Sequence, residues 1–167
     1  MSERLPTLRI RLRSSLRVLE IQLFRDLSPG EGALEVPSGP DLWRRDAAER
    51  PPLLRIGPRR WLAPEPTREL LAASSAMVDS GAGVLTEVGG KWQVIEVAGR
   101  EVGRRFARTT WLESVLHGRD CAVLPLFDCP TIVMRHLEGF EVWVERSYAE
   151  DFLMSLKRHE PSRPVPA

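Results

Sequence analysis

Between Ser28 and Pro52 the chain carries Pro29, Gly30, Gly32, Pro37, Gly39, Pro40, Pro51 and Pro52. Each proline removes a backbone donor and each glycine raises the entropy cost of order, so no helix or strand of ordinary length fits there. A structureless loop that long is unusual inside one compact domain unless something else holds it. The expected organisation is therefore an amino-terminal strand arm over residues 1–27, a Pro/Gly-rich loop or linker over 28–52, an α+β body over 53–159 and a flexible tail over 160–167. The tail contains Pro161, Pro164 and Pro166, which cannot continue a helix.

In the arm, Leu8-Arg9-Ile10-Arg11-Leu12-Arg13 alternates with period two, the pattern of a half-exposed strand. Leu16 to Leu23 repeats the pattern, predicting a second strand. The body opens with a short strand at Leu53-Leu54-Arg55-Ile56, halted by Gly57-Pro58 and resumed at Trp61-Leu62. Pro66-Thr67 then starts a helix with Glu69 in its first turn, where the dipole favours an acid. Val84 to Val88 and Lys91 to Val97 flank Gly89-Gly90, the strongest local hairpin signal in the chain. Further strands are expected around Cys121 to Phe127, Thr131 to His136 and Glu141 to Glu145. Ser147-Tyr148-Ala149-Glu150 has the form of a capping box, followed by an apolar face of Tyr148, Phe152 and Leu156 with Ala149 and Leu153 beside it. The order of elements predicts an α+β fold: an antiparallel sheet with helices packed on one face, a ferredoxin-like sandwich preceded by an extended strand arm.

Composition narrows the function. With 43% hydrophobic residues among 167 the chain can bury a sizeable core. Its 24 basic residues face 23 acidic ones, which argues against a nucleic-acid binder, whose footprint is a strongly basic face. An RNA-binding sandwich would also need sheet aromatics among basic residues, whereas Trp92, Phe127 and Trp143 sit among acids and aliphatics. Two cysteines make no disulfide framework, and no segment reads as a signal peptide or a membrane span. A reduced, cytoplasmic, soluble protein is expected, with no nucleic-acid or membrane partner.

Catalytic and metal motifs fail on spacing. His117, Cys121, Cys129 and His136 have zinc-binding types, but structural zinc sites bring paired ligands two to four residues apart. Gly81-Ala82-Gly83 lacks the third glycine of a dinucleotide fingerprint, and Gly89-Gly90-Lys91 is followed by Trp92 where a phosphate loop has Ser or Thr. No Gly-x-Ser-x-Gly elbow is present, and Cys129 has no evident base beside it. The expected sites are therefore no catalytic, cofactor-binding or metal residue, and no enzyme activity of the chain by itself.

The segment from Arg100 to Leu116 is the candidate interface. On a regular helix Val102, Phe106, Thr109, Leu112 and Leu116 share a core face, opposite Arg100, Arg104, Arg108 and Trp111. A tryptophan beside arginines has the composition of an interface anchor, which nominates Arg104, Arg108 and Trp111 for partner contact. Two other arrangements compete: a break at the weak helical pair Thr109-Thr110 places Trp111 in a loop, and a plainer one buries it and leaves the arginines solvated.

Several local segments, taken in order, resemble a known family. Thr131 to Met134, Phe140-Glu141-Val142-Trp143-Val144 and then Arg146-Ser147-Tyr148-Ala149 match its carboxy-terminal strands and its "Arg-Ser-(aromatic)-Ala" turn. Gly57-Pro58-Arg59-Arg60-Trp61-Leu62 looks like its "Gly-Pro-x-x-Trp-Leu" segment. Val78-Asp79-Ser80 looks like its "Val-Asp-x-Ser" turn shortened by one residue, and Val97-Ala98-Gly99-Arg100 like the start of its second helix without the usual proline. The family is the gamma subunit of heterotetrameric sarcosine oxidase, whose fold is similar to the folate-binding domain of the glycine-cleavage T-protein. The resemblance covers roughly residues 53–159. It implies a non-catalytic subunit in a complex with alpha, beta and delta subunits. FAD, FMN, NAD, tetrahydrofolate and zinc would all sit on those partners, and none on this chain. The implied reaction is oxidative demethylation of an N-methyl amino acid, with the one-carbon unit passed to tetrahydrofolate. The competing expectation is a stand-alone folate- or ligand-binding protein of the same fold, with Asp79 as the acid that would anchor a pterin.

Overall fold

Phe140 to Val144 is apolar at four of five positions, the pattern of a strand covered on both faces rather than one. The computed structural model, which describes residues 8–13, 16–26, 53–117, 121–136 and 139–158, explains that double cover. All five of these residues are buried, because a helical layer lies on one side of their strand and a second sheet on the other.

The larger sheet contains β1 (Arg9–Arg13), β6 (Trp92–Ala98), β9 (Gly139–Glu145), β8 (Cys129–His136) and β7 (Cys121–Leu126), in the order β1-β6-β9-β8-β7. The smaller contains β2 (Val18–Leu23), β3 (Leu54–Gly57), β4 (Arg60–Pro64) and β5 (Gly83–Glu87), in the order β3-β4-β2-β5. Every strand pair in both sheets is antiparallel. Val18, Leu54 and Leu62 from the smaller sheet pack against Val94, Cys121, Ile132 and Trp143 from the larger. On the far side of the larger sheet, Ile95, Val97, Val133, Val142 and Val144 meet α2 (Val102–Phe106), α3 (Leu112–Val115) and α4 (Ala149–Lys157). On the far side of the smaller, Leu19, Ile21, Trp61 and Ala63 meet α1 (Arg68–Asp79). The expected α+β sandwich is present, built from two antiparallel sheets, each with helix on one face and the other sheet on its second.

Three sequence expectations change in this frame. The two amino-terminal strands are not a separate arm: β1 pairs with β6, and β2 lies between β4 and β5 inside the smaller sheet. Their alternation is that of sheet members, and an isolated two-stranded arm would have little to bury. The Gly89-Gly90 hairpin does not form. β5 pairs with β2 and β6 with β1 and β9, so Gly89–Lys91 is a single 3-10 turn carrying the chain from one sheet to the other. The capping box is also absent, because a 3-10 turn at Arg146–Tyr148 feeds α4 and Tyr148 caps it without a side-chain bond. Tyr148 is 41% exposed, whereas Phe152 and Leu156 are fully buried.

The helix at Thr67 follows its signals. Thr67 accepts a hydrogen bond from the Leu70 N–H at 3.3 Å, and Glu69 lies in the first turn. Its backbone amide and the Thr67 hydroxyl hold the Glu69 carboxyl below the ordinary carboxylate range. At the other end Gly81, with φ of 68°, lets its N–H reach Val78 O and the Ala82 N–H reach Met77 O, closing a Schellman motif. The Pro/Gly-rich stretch 28–52 and the tail 160–167 lie outside the described residues.

Candidate functional site

Phe106 decides the shape of the expected interface. Its carbonyl accepts from the Thr109 and Thr110 N–H groups, both at 2.9 Å, and from the Thr109 hydroxyl at 3.1 Å. Those bonds end α2, and the chain restarts helically only at Leu112. The segment is thus two short helices rather than one, as β-branched residues competing for a local carbonyl favour. Val102, Phe106, Leu112 and Leu116 are buried as the helical face predicts, but Thr109 is exposed. Trp111 begins α3 and is 71% exposed, with Val115 exposed one turn further on. Trp111 is therefore not a core residue.

Arg104 and Arg108 are both exposed. Arg108 also has a structural duty, its Nη1 donating to Arg158 O at 3.2 Å. Beside it, Arg105 does what spacing did not reveal. Its Nη1 donates to the carbonyls of Leu156, Lys157 and Arg158 at 3.0, 3.3 and 3.3 Å, while Nη2 meets Glu101 Oε2 at 3.2 Å. A guanidinium on the last carbonyls of α4 satisfies orphan acceptors and opposes the negative end of the helix dipole. The Glu101–Arg105 pair at helical spacing was legible, but the approach of α4 is tertiary and leaves no local signal.

The residues considered for chemistry are scattered. Among the described residues no three His, Cys, Asp or Glu side chains come together to hold a metal ion. Cys121 is buried between the two sheets and Cys129 in the layer under the helices, so they belong to different cores. Asp79 is exposed at the end of α1. The segments quoted for the family resemblance fall largely at turns and element ends: the β3–β4 turn, the end of α1, the end of β6 and the 3-10 turn before α4. They are folding features.

A polar cluster lies on the larger sheet, on the face turned toward the smaller one. Glu141 is 2% exposed, and its carboxylate accepts from Trp143 Nε1 at 2.8 Å and Arg13 Nη1 at 2.9 Å. Arg13 Nε also lies 3.8 Å from Glu96. The register brings Arg11, Glu96 and Glu141 into one row across β1, β6 and β9, and Arg9, Ala98 and Gly139 into the next. Because Ala98 and Gly139 are small, the second row leaves a cleft of about 180 Å³ bordered by Arg9, Arg11 and Glu96. Gly139 is required there, since a Cβ would stand 2.0 Å from Val97 O.

The Cys129 thiol carries a clear electrostatic signature. Burial pushes it above the ordinary thiol range, and the carboxylates of Asp151 and Asp128 add to the effect. Native Cys129 should alkylate with iodoacetamide at least about tenfold more slowly at pH 8.5 than in the urea-unfolded chain. The raised folded value also sets a sign. The unfolded chain loses this proton first, so the contribution to stability is complete below about pH 8.5 and is lost as pH climbs toward the folded value. Urea midpoints at pH 7 and 9.5 should therefore fall further for the native chain than for Cys129→Ala.

No helix among the described residues is long and apolar enough to cross a membrane. Neither a family model nor a curated protein sequence matches the chain. Among solved structures, it is similar to a chain of heterotetrameric sarcosine oxidase from Corynebacterium sp. U-96 in complex with pyrrole 2-carboxylate, with a TM-score of 0.68 and 14% identity. The alignment covers 93% of this chain and 88% of that one, so the fold is shared nearly end to end.

Proposed function

We propose that this chain is the non-catalytic small subunit of a sarcosine oxidase-like flavoenzyme complex. The observation that carries the reading is mutual coverage: the fold spans nearly the whole of both chains, as expected for one subunit matched to another of similar size. The sequence segments resembling the gamma subunit point the same way. In this reading alpha, beta and delta partners hold FAD, FMN, NAD, tetrahydrofolate and zinc, and this chain holds none. The complex oxidatively demethylates an N-methyl amino acid and passes the one-carbon unit to tetrahydrofolate.

Arg104, Arg108 and Trp111 are the proposed contact with a partner subunit. An indole 71% exposed beside arginines fits the anchor of a desolvated interface, because tryptophan and arginine dominate such hot spots. Co-expression with the neighbouring genes, followed by pull-down on this tagged chain, should recover a yellow complex. A lone monomer despite those partners, or tight one-to-one binding of a reduced folate by the monomer, would overturn the subunit reading. Trp111→Ala should weaken assembly by about 2 kcal/mol, roughly thirty-fold in Kd, while leaving the melting temperature of the free chain nearly unchanged. Lost stability with assembly intact would remove Trp111 from the interface.

A further inference from the structure

Among the described residues four strands lie at the outer edges of the two sheets: β1 and β7 of the larger, β3 and β5 of the smaller. An outer strand offers a row of backbone donors and acceptors on which another chain can pair, and charged side chains are a common protection. β1 carries Arg9, Arg11 and Arg13, β3 carries Arg55 and β5 carries Glu87. β7, which reads Cys121-Ala122-Val123-Leu124-Pro125-Leu126, carries no charge. At its middle Val123 is 55% exposed, although Ala122 and Leu126 on the opposite face are buried in the helical core.

The β7–β8 register decides which backbone groups point outward. The turn through Phe127 and Asp128 is closed between Leu126 and Cys129, so that pair exchanges ladder bonds and every second pair beyond it does the same. Leu124 and Ala122 therefore bond to β8, whereas Val123 and Pro125 turn their backbone groups away from it. The prolines agree: Pro125 and Pro130 stand opposite each other at a position where this ladder needs no N–H. Val123 thus presents both an N–H and a carbonyl to the outside.

We infer that β7 is a self-pairing edge, on which a second copy of this chain adds in antiparallel register with Val123 opposite its twin. A two-fold axis through that pair makes the edge complementary to itself, as a symmetric dimer requires. Val123 exchanges two backbone bonds with the Val123 of the copy. Ala122 then lies opposite the copy's Leu124, and Cys121 opposite its Pro125. No side chain in this pairing meets a like charge, which is what would oppose the same arrangement on β1. Pro125 has no N–H to give, so the pairing ends there. One strand pair is a small interface, at the transient end of the range. The inference goes beyond the subunit reading and does not depend on it.

The test uses the full-length chain in sedimentation equilibrium from roughly 10 µM to roughly 1 mM, over which a weak dimer should grow in with concentration. The Val123 amide should exchange more slowly at the upper concentration, while the amides of residues 9–13 keep their rates. Val123→Pro should stay monomeric and melt close to the native chain, because it deletes an outward N–H that the β8 ladder does not use. Val123→Lys and Val123→Glu should each be monomeric alone. Their equimolar mixture should dimerise in about 50 mM salt and separate in about 500 mM, because the two charges stand opposite each other and are screened. A monomer at roughly 1 mM, a dimer that survives Val123→Pro, or a mixture that fails to pair would overturn the inference. So would a proline variant that unfolds, which would put the Val123 N–H in the β8 ladder. Loss of the dimer in Trp111→Ala would move the contact to the start of α3 and also sink it. A chain that dimerises through Val123 yet recovers no partner on pull-down would count against the subunit reading and leave this one standing.

Discussion

Trp143→Ala should lower the folding free energy by about 3–5 kcal/mol from lost burial and the resulting cavity. Trp143 is 1% exposed and fills the layer between the sheets, touching the group formed by Val18, Leu54, Leu62, Val94, Cys121 and Ile132. Its ring meets Trp92 edge-on at 6.3 Å and 61°, so truncation also removes an aromatic pair. The indole N–H donates to buried Glu141, whose carboxylate also accepts from Arg13, and truncation removes that donor. Stripping one donor from a buried acceptor costs about 1–3 kcal/mol more. Against a typical total of about 5–15 kcal/mol that is a large share, so the variant should unfold at a much lower urea concentration than the native chain. Trp143→Phe separates the two contributions, because it keeps most of the ring and loses chiefly the hydrogen bond. Urea unfolding by circular dichroism measures both variants. A loss under about 1 kcal/mol for the alanine form would mean that the two sheets do not share this core.

Trp143 and its neighbours also show which parts of the fold were legible. Element types followed from period: alternation marked β1 and β2, and the apolar runs marked β7, β8 and β9. Pairing did not follow. A two-residue hairpin joins β7 and β8 through Phe127 and Asp128, whose φ values of 51° and 61° match the left-handed positions that a type I′ loop needs. Asn-Gly is the usual signal for that turn, and Phe-Asp carries none. Phe127 is held there by aromatic contacts from other elements, Phe106 at 6.2 Å and Phe152 at 5.6 Å. The interface candidates divide similarly. Composition nominated Trp111, and its exposure is consistent with that role. Composition passed over Arg105, because the helix end it caps lies about fifty residues away in sequence.

Gly89→Ala should destabilise the fold by about 3 kcal/mol, for a reason opposite to the one its sequence suggests. In a Gly-Gly hairpin both residues would take positive φ, and alanine would fail through backbone strain. Here neither Gly89 nor Gly90 has positive φ. The constraint is space: an added Cβ at Gly89 would stand 2.4 Å from Leu16 O and 3.3 Å from Val18 N, both backbone atoms that cannot rotate away. That approach is where the crossover from β5 to β6 passes the start of β2, beside the bond from Val88 N–H to Val18 O at 2.8 Å. Relieving the clash means moving β2, which sits between β4 and β5 and carries fully buried Val18 into the layer between the sheets. Gly90 is the internal control, because nothing lies within 4 Å of a Cβ there. Gly90→Ala should therefore change stability by under about 0.5 kcal/mol, the range of a surface substitution. A hairpin would make the two variants comparably harmful, whereas the crossover separates them by several kcal/mol. Equal urea midpoints for the two variants would exclude the crossover and return β5 and β6 to a single sheet.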